Sequence, residues 1–162
     1  MIDVTELNAA IVNFQKEVEI DVTTIQRKIA LDLLRGCVMK TPVDTGRARG
    51  NWQITISGAP PTAELGQSAS AGGSKDKGGG HTVSKGGKKI NAAKPYGIIW
   101  LTNNVPYIGV LEFGGFVPGD PGPSKDPRKG RKGRVLVKGG YSVQAPRGMV
   151  RLTLNEITRS LT

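Results

Sequence analysis

From Leu7 to Leu33 the chain sets apolar residues three or four apart without a miss: Leu7, Ile11, Phe14, Val18, Val22, Ile25, Ile29 and Leu33. That spacing lays one stripe along an α-helix. Thr5 is placed to cap its start, with Asp3 and Glu6 favourable at the positive end of the helix dipole. Lys16, Glu17, Asp21, Arg27 and Lys28 fall mostly off the stripe. A helix over residues 5–40 would run about 54 Å at about 1.5 Å per residue. Aromatic residues make up only 5% of the chain and apolar residues 37%, so the core it can build is shorter than that helix. Either the β-branched run from Ile20 to Thr24 bends the helix or part of the stripe meets another subunit, and subunit contact is the expectation. Cys37 continues the stripe, which points to burial as a small apolar side chain and away from thiol chemistry.

Pro42 disfavours helical geometry in the residue before it and ends the helix. In "TPVDTGRARGNW", Val43-Asp44-Thr45-Gly46 carries the residues of a tight turn: an aspartate to accept from amides ahead and a glycine to take positive φ. Arg47 and Arg49 then alternate with small residues as a strand begins, and are expected to clamp carboxylates at a subunit boundary. In "NWQITI", Trp52, Ile54 and Ile56 share one face of a half-buried strand. "YGIIWLTNN", residues 96–104, reads as a central strand. Pro106 opens a short helix bearing Tyr107, Ile108 and Leu111 and ending at Gly114. "RVLVKGGYSVQ" reads as a β-hairpin turning at Gly139-Gly140, with Val135 and Val137 facing alike. A closing helix starts near Pro146, with Val150, Leu154, Ile157 and Leu161 as its apolar stripe. The fold class is α+β: a long N-terminal helix, a small mainly antiparallel β-sheet, a short middle helix, a C-terminal helix and two long basic Gly-rich loops. One domain spans 1–162, with a flexible basic arm at about 57–95 and a second basic loop at about 115–134.

The net charge of +10 belongs to two stretches. Residues 72–94 hold six lysines against one aspartate, and residues 124–138 hold seven basic residues against one aspartate. Lys75, Lys77, Lys85, Lys88 and Lys89 in the first, and Arg128, Lys129, Arg131, Lys132 and Arg134 in the second, are candidates to contact a polyanion or neighbouring subunits. The plainer alternative is charge that keeps glycine-rich loops solvated. Aromatic residues do not interleave with the basic ones, as they do on single-strand-binding surfaces.

Catalytic constellations are scarce. His81, the only histidine, sits in "GGGHTVSKGG" and reads as a solvated loop residue, too isolated for a metal site. Glu112 and Asp44 could in principle pair for acid–base work, but ion pairing to Arg47 or Arg49 is the commoner outcome. "GGSKDKGGG" and "GGFVPGDPG" lack the lysine–serine/threonine ending of a phosphate-binding loop. One cysteine rules out an internal disulfide framework and a cysteine-based zinc cluster. No catalytic set, metal or cofactor is therefore expected. The start "MIDVTELNAAI" lacks the basic patch of a signal peptide, and no run approaches the roughly 18 apolar residues of a membrane span. The expectation is a soluble protein made in a reducing compartment.

"TPVDTGRARGNW" after a long helix, "PYIGVLEFG" in the middle and "QAPRGMVRLTL" opening a terminal helix resemble, in that order, the tail-completion or neck family of tailed bacteriophages. These are the minor tail components that join heads to long tails. The resemblance implies a small α+β subunit of a homo-oligomeric ring without catalysis, expected to be a hexamer although no local pattern encodes ring symmetry. It implies synthesis in the host bacterial cytoplasm and residence in the virion, at the neck. The implied partners are further copies, other neck and tail proteins (connector, tail terminator or tail tube) and genome DNA in the lumen, with no membrane. On that reading Asp44, Thr45, Gly46 and Arg47, with Arg49 and Trp52 beside them, form the helix-to-strand corner. Tyr107, Glu112, Phe113 and Gly114 form the middle helix and its end, and Ala145, Pro146, Gly148 and Met149 begin the closing helix. The chain departs from the family in the length and basicity of its two loops. The main rival is a basic nucleic-acid-binding module, and a small hydrolase using Glu112, Asp44 and His81 ranks below both.

Overall fold

The computed structural model describes residues 4–65, 75–115, 136–137 and 140–161. The stripe produces one unbroken helix, α1 (Val4–Lys40), through the β-branched run, where the Thr23 and Thr24 hydroxyls donate to the carbonyls of Glu19 (2.6 Å) and Ile20 (2.9 Å). Only its C-terminal half enters the core. Leu34, Cys37 and Val38 are fully buried, whereas Leu7, Ile11, Phe14 and Ile20 are about half exposed or more. The helix outruns the core, as its length against the apolar content requires.

After the corner comes a single helical turn, α2 (Arg47–Gly50), and then β1 (Trp52–Ile56). This strand pairs antiparallel with β2 (Ile99–Asn103), placing Ile54 opposite Leu101. Alternation works as expected: Trp52 and Ile54 are buried toward α1. The middle helix α4 (Ile108–Phe113) ends at Gly114, whose φ of 80° supplies the stop. The hairpin forms from β3 (Leu136–Val137) and β4 (Tyr141–Ser142), and the chain closes with α5 (Val150–Leu161). Leu34, Val38, Trp52, Ile54, Ile90, Val105, Leu111 and Met149 join these elements into one core.

Five expectations are corrected. The arm at about 57–95 is not structureless throughout, since Gly80–Asn91 forms a helix, α3, packed on α1 and β1. Three glycines in it disfavour a helix by about 1 kcal/mol each. Tertiary packing overrides them, because Gly86 lets the helix sit directly on Leu34 and Ile54, where a Cβ would overlap Leu34. The alternation of Arg47 and Arg49 is a helical turn and not the start of the strand. Strand β2 is not central among the described residues, where β1 is its one partner. The closing helix begins at Val150 and not near Pro146, because Pro146 bridges to Gly148 and Gly148 holds a left-handed φ of 80° that a right-handed helix excludes. Finally, α5 turns Thr153 inward onto Gly36 of α1, so Leu154 and Leu161 of the expected stripe stay 46% and 58% exposed.

Candidate functional site

Two polar junctions use most of the motif residues. The first is the corner. Gly46 takes φ 87°, and Arg47 N donates to Thr45 Oγ1 at 3.3 Å. Asp44 and Thr45 are exposed. Arg49 does not seek a carboxylate. Its guanidinium donates to the carbonyls of Met39 (3.1 Å) and Thr41 (2.9 Å) at the end of α1, and to Lys77 O (2.7 Å) before α3. A planar donor fork suits several converging carbonyls, so Arg49 ties the C-terminus of one helix to the approach of another. Arg47 pairs with Glu64 of the same chain through two contacts of 2.5 and 2.6 Å and lies 5.9 Å from the centre of the Tyr107 ring. Hydrogen bonding to Arg47 is the first reason the Glu64 carboxyl sits below its ordinary value. Within the chain, then, Arg47 clamps a carboxylate and Arg49 clamps carbonyls. Trp52 donates from Nε1 to Thr41 Oγ1 at 2.7 Å, and that hydroxyl donates to Cys37 O at 2.6 Å, which closes the corner from inside.

The corner also receives α3. Asp76 N donates to Gly46 O at 3.2 Å, and a Cβ on Gly46 would lie 2.8 Å from Lys77 N, so only glycine fits there. Asp76 then caps the helix, its carboxylate accepting from Gly79 N, Thr82 N and Thr82 Oγ1 at 2.8–2.9 Å. Burial pushes this carboxyl up, but the bonds from Thr82 and Gly79 and the nearby His81 hold it below its ordinary value.

The second junction joins the other two motifs. Glu112, 6% exposed, points its carboxylate at the start of α5 and accepts from Met149 N (2.6 Å), Val150 N (2.9 Å) and Arg151 N (3.1 Å). These are the donors that a helix start leaves without intrahelical partners. The Arg151 guanidinium adds a contact of 3.3 Å to the carboxylate, donates to Glu112 O and Tyr141 Oη, and lies 5.4 Å from the Phe113 ring centre. Burial raises the Glu112 carboxyl, yet the three amides and Arg151 together hold it below its ordinary value. Gly148 is required by space as well as by φ, because a Cβ there would lie 2.9 Å from that carboxyl group. Ala145 and Met149 are buried beside it, Pro146 is exposed and Phe113 is 68% exposed. Glu112 therefore pairs with neither Arg47 nor Arg49, against expectation.

No family model, curated protein or solved structure matches this chain. Its chemistry is therefore read from its own geometry. His81 is not a loop residue but lies in the first turn of α3, lining a small slot with Lys85, Lys89, Gln53 and Trp52. Asp44 and Glu112 line neither that slot nor the larger apolar groove beside α1. Among the described residues no group of three His, Cys, Asp or Glu side chains is placed to hold a metal ion, and no helix is long and apolar enough to cross a membrane. Lys75, Lys77, Lys85 and Lys88 are exposed along α3 and its approach, while Lys89 turns its Nζ to Ile54 O at 2.9 Å. Arg128, Lys129, Arg131, Lys132 and Arg134 lie outside the described residues, as does the loop expected at about 115–134 beyond Gly115.

Several structural residues escaped the sequence reading. Asp76 supplies a cap, and Thr82, Gly86 and Ile90, four apart, form a buried face, but the surrounding glycines hide both. Asn51 is fully buried, donating to Arg47 O and accepting from Leu65 N, and nothing in its sequence neighbours announces that. Gln144 meets the backbone N–H and C=O of Val43 with its amide at 2.8 and 3.3 Å, which brings the third motif against the first.

Proposed function

We propose that this chain is a structural component of the neck or tail of a tailed bacteriophage, a tail-completion or head–tail connector subunit that assembles into a ring joining head and tail. One observation carries the reading. The polar residues of the three motifs are largely consumed in holding the chain to itself, at the corner, at the Glu112 junction and through Gln144, while large apolar side chains of α1 and α5 face outward. A subunit built for assembly needs a stiff frame with apolar faces left over for its neighbours. The partners on this reading are further copies of the chain, the adjoining connector, tail terminator or tail tube, and genome DNA facing the exposed lysines of α3. Synthesis takes place in the host bacterial cytoplasm and the final location is the virion.

Inactivating the gene in a phage that carries it should yield filled heads and unattached tails by electron microscopy, and adding the purified protein should restore joined, infectious particles. Normal joined virions without the protein would refute the reading. The exposed lysines of α3 favour one rival, a nucleic-acid-binding module. A direct binder loses DNA affinity with rising salt at a slope of about −0.9 per phosphate neutralised, and exposed Lys75, Lys77, Lys85 and Lys88 set the scale.

A further inference from the structure

Residues 22–33 of α1 and the near face of the sheet enclose an apolar groove of about 600 Å³, lined by Val22, Ile25, Ile29, Leu33, Ile99 and Leu101. Tyr96 stands on its wall, 66% exposed, with a φ of 57° that non-glycine residues seldom adopt. Gln26 enters the groove from α1. Its amide nitrogen donates to Gly97 O, while its buried Oε1 has no partner among the described residues. The stripe that supplies Val22, Ile25 and Ile29 continues toward the N-terminus through Leu7, Ile11, Phe14 and Val18, where α1 is exposed along most of its surface.

We propose that this groove receives the α1 arm, residues 7–21, of a second copy of this chain, packed head to tail. The proposal deepens the assembly part of the reading above and rests on it. Leu7, Ile11, Phe14 and Val18 stand at i, i+4, i+7 and i+11, the anchor pattern of a helix laid in a groove. The arm is about 22 Å long at about 1.5 Å per residue, enough to lie along the three turns of α1 that line the groove. A chain's own arm cannot fill its own groove, because α1 is one unbroken helix through both. The stretches 66–74 and 116–135 offer only Phe116, Val117 and Val135 as large apolar side chains, too few to match the lining.

Charge favours the same occupant. Residues 4–22 carry Glu6, Glu17, Glu19 and Asp21 against Lys16 alone, whereas residues 72–94 hold six lysines against one aspartate and end at exposed Lys94, just before Tyr96 on the groove wall. Arm and body of different copies attract, and arm against arm repels.

The test uses two full-length variants at exposed positions, Phe14→Asp on the arm and Tyr96→Asp at the groove, with thermal unfolding to confirm the fold. Light scattering should show the wild type associating, and each variant alone needing at least about tenfold more protein for the same association. Mixed in equal amounts, the two should form one-to-one dimers and stop there, since one supplies an intact groove and the other an intact arm. Association unchanged in both variants, a wild type that stays monomeric at every concentration, or folded variants that fail to pair on mixing would each overturn the proposal. A groove filled by a segment of the same chain would show as Tyr96→Asp lowering the melting temperature of a monomer that Phe14→Asp leaves unchanged, and would also overturn it. Failure here leaves the neck reading to its own virion experiment, and absence of the protein from virions leaves the arm contact standing.

Discussion

At the scale of single residues, Glu112 carries the clearest consequence. Three backbone amides and one guanidinium converge on a buried carboxylate, so Glu112→Gln weakens every one of those bonds without changing the volume. The expected loss is about 1–3 kcal/mol in denaturant unfolding. Because the folded carboxyl lies below its ordinary value, its contribution is present in full above about pH 4.3 and is lost as pH falls through the folded value. Stability measured against pH should therefore fall less steeply on the acid side in Glu112→Gln than in the wild type. Asp76 and Glu64 are shifted the same way and contribute to the slope that remains. Cys37 behaves in the opposite sense. Burial pushes its thiol up to about 12, against the lowering bond with Thr153, so a thiol reagent at pH 8 should label it only as fast as the protein opens. Labelling at the rate of a free thiol would contradict its burial in the α1 stripe.

The elements divide by how local their instructions are. "NWQITI" could be read as β1 because alternation is a property of neighbours, and α1 could be read because its stripe repeats for about seven turns. The start of α5 could not, because its cap is Glu112, more than thirty residues earlier in the chain. Nor could α3, in which Gly80, Gly86 and Gly87 argue against a helix until Leu34 and Ile54 are known to lie beneath Gly86. The intrachain partners of Arg47 and Arg49 lie beyond a local reading for a similar reason: their acceptors, Glu64 and Lys77 O, come from later segments. An element that depends on distant support should fail selectively. Asp76→Ala removes the cap of α3 and should cost about 0.5–2 kcal/mol. Hydrogen exchange should then quicken across residues 80–91 while the buried second half of α1 keeps its protection. Equal acceleration in both would mean that α3 and α1 open as one unit.

At the scale of the whole molecule, the fold class was legible and the distribution of contacts was not. A helix of 37 residues beside so few aromatics announced a surplus, and the structure places that surplus on the N-terminal side of Val22. An isolated helical segment of that size is marginal in water, so the arm should exchange its amides quickly in the monomer and slow on association. Removing residues 4–20 should leave the melting temperature nearly unchanged while abolishing association. A large drop in melting temperature would place the arm inside the folding unit.

The fit of Gly46 against Asp76 and Lys77 has one more result. A lysine-rich tether behaves as a brush, whose charges settle wherever a polyanion happens to lie. Anchored at that glycine and wound into α3, Lys85 and Lys88 are instead teeth on a comb, with a set pitch and one outward direction. An acidic surface brought to this face would be met in register, and lengthening the chain between Lys77 and Gly80 by even one residue should spoil the alignment while leaving the charge untouched.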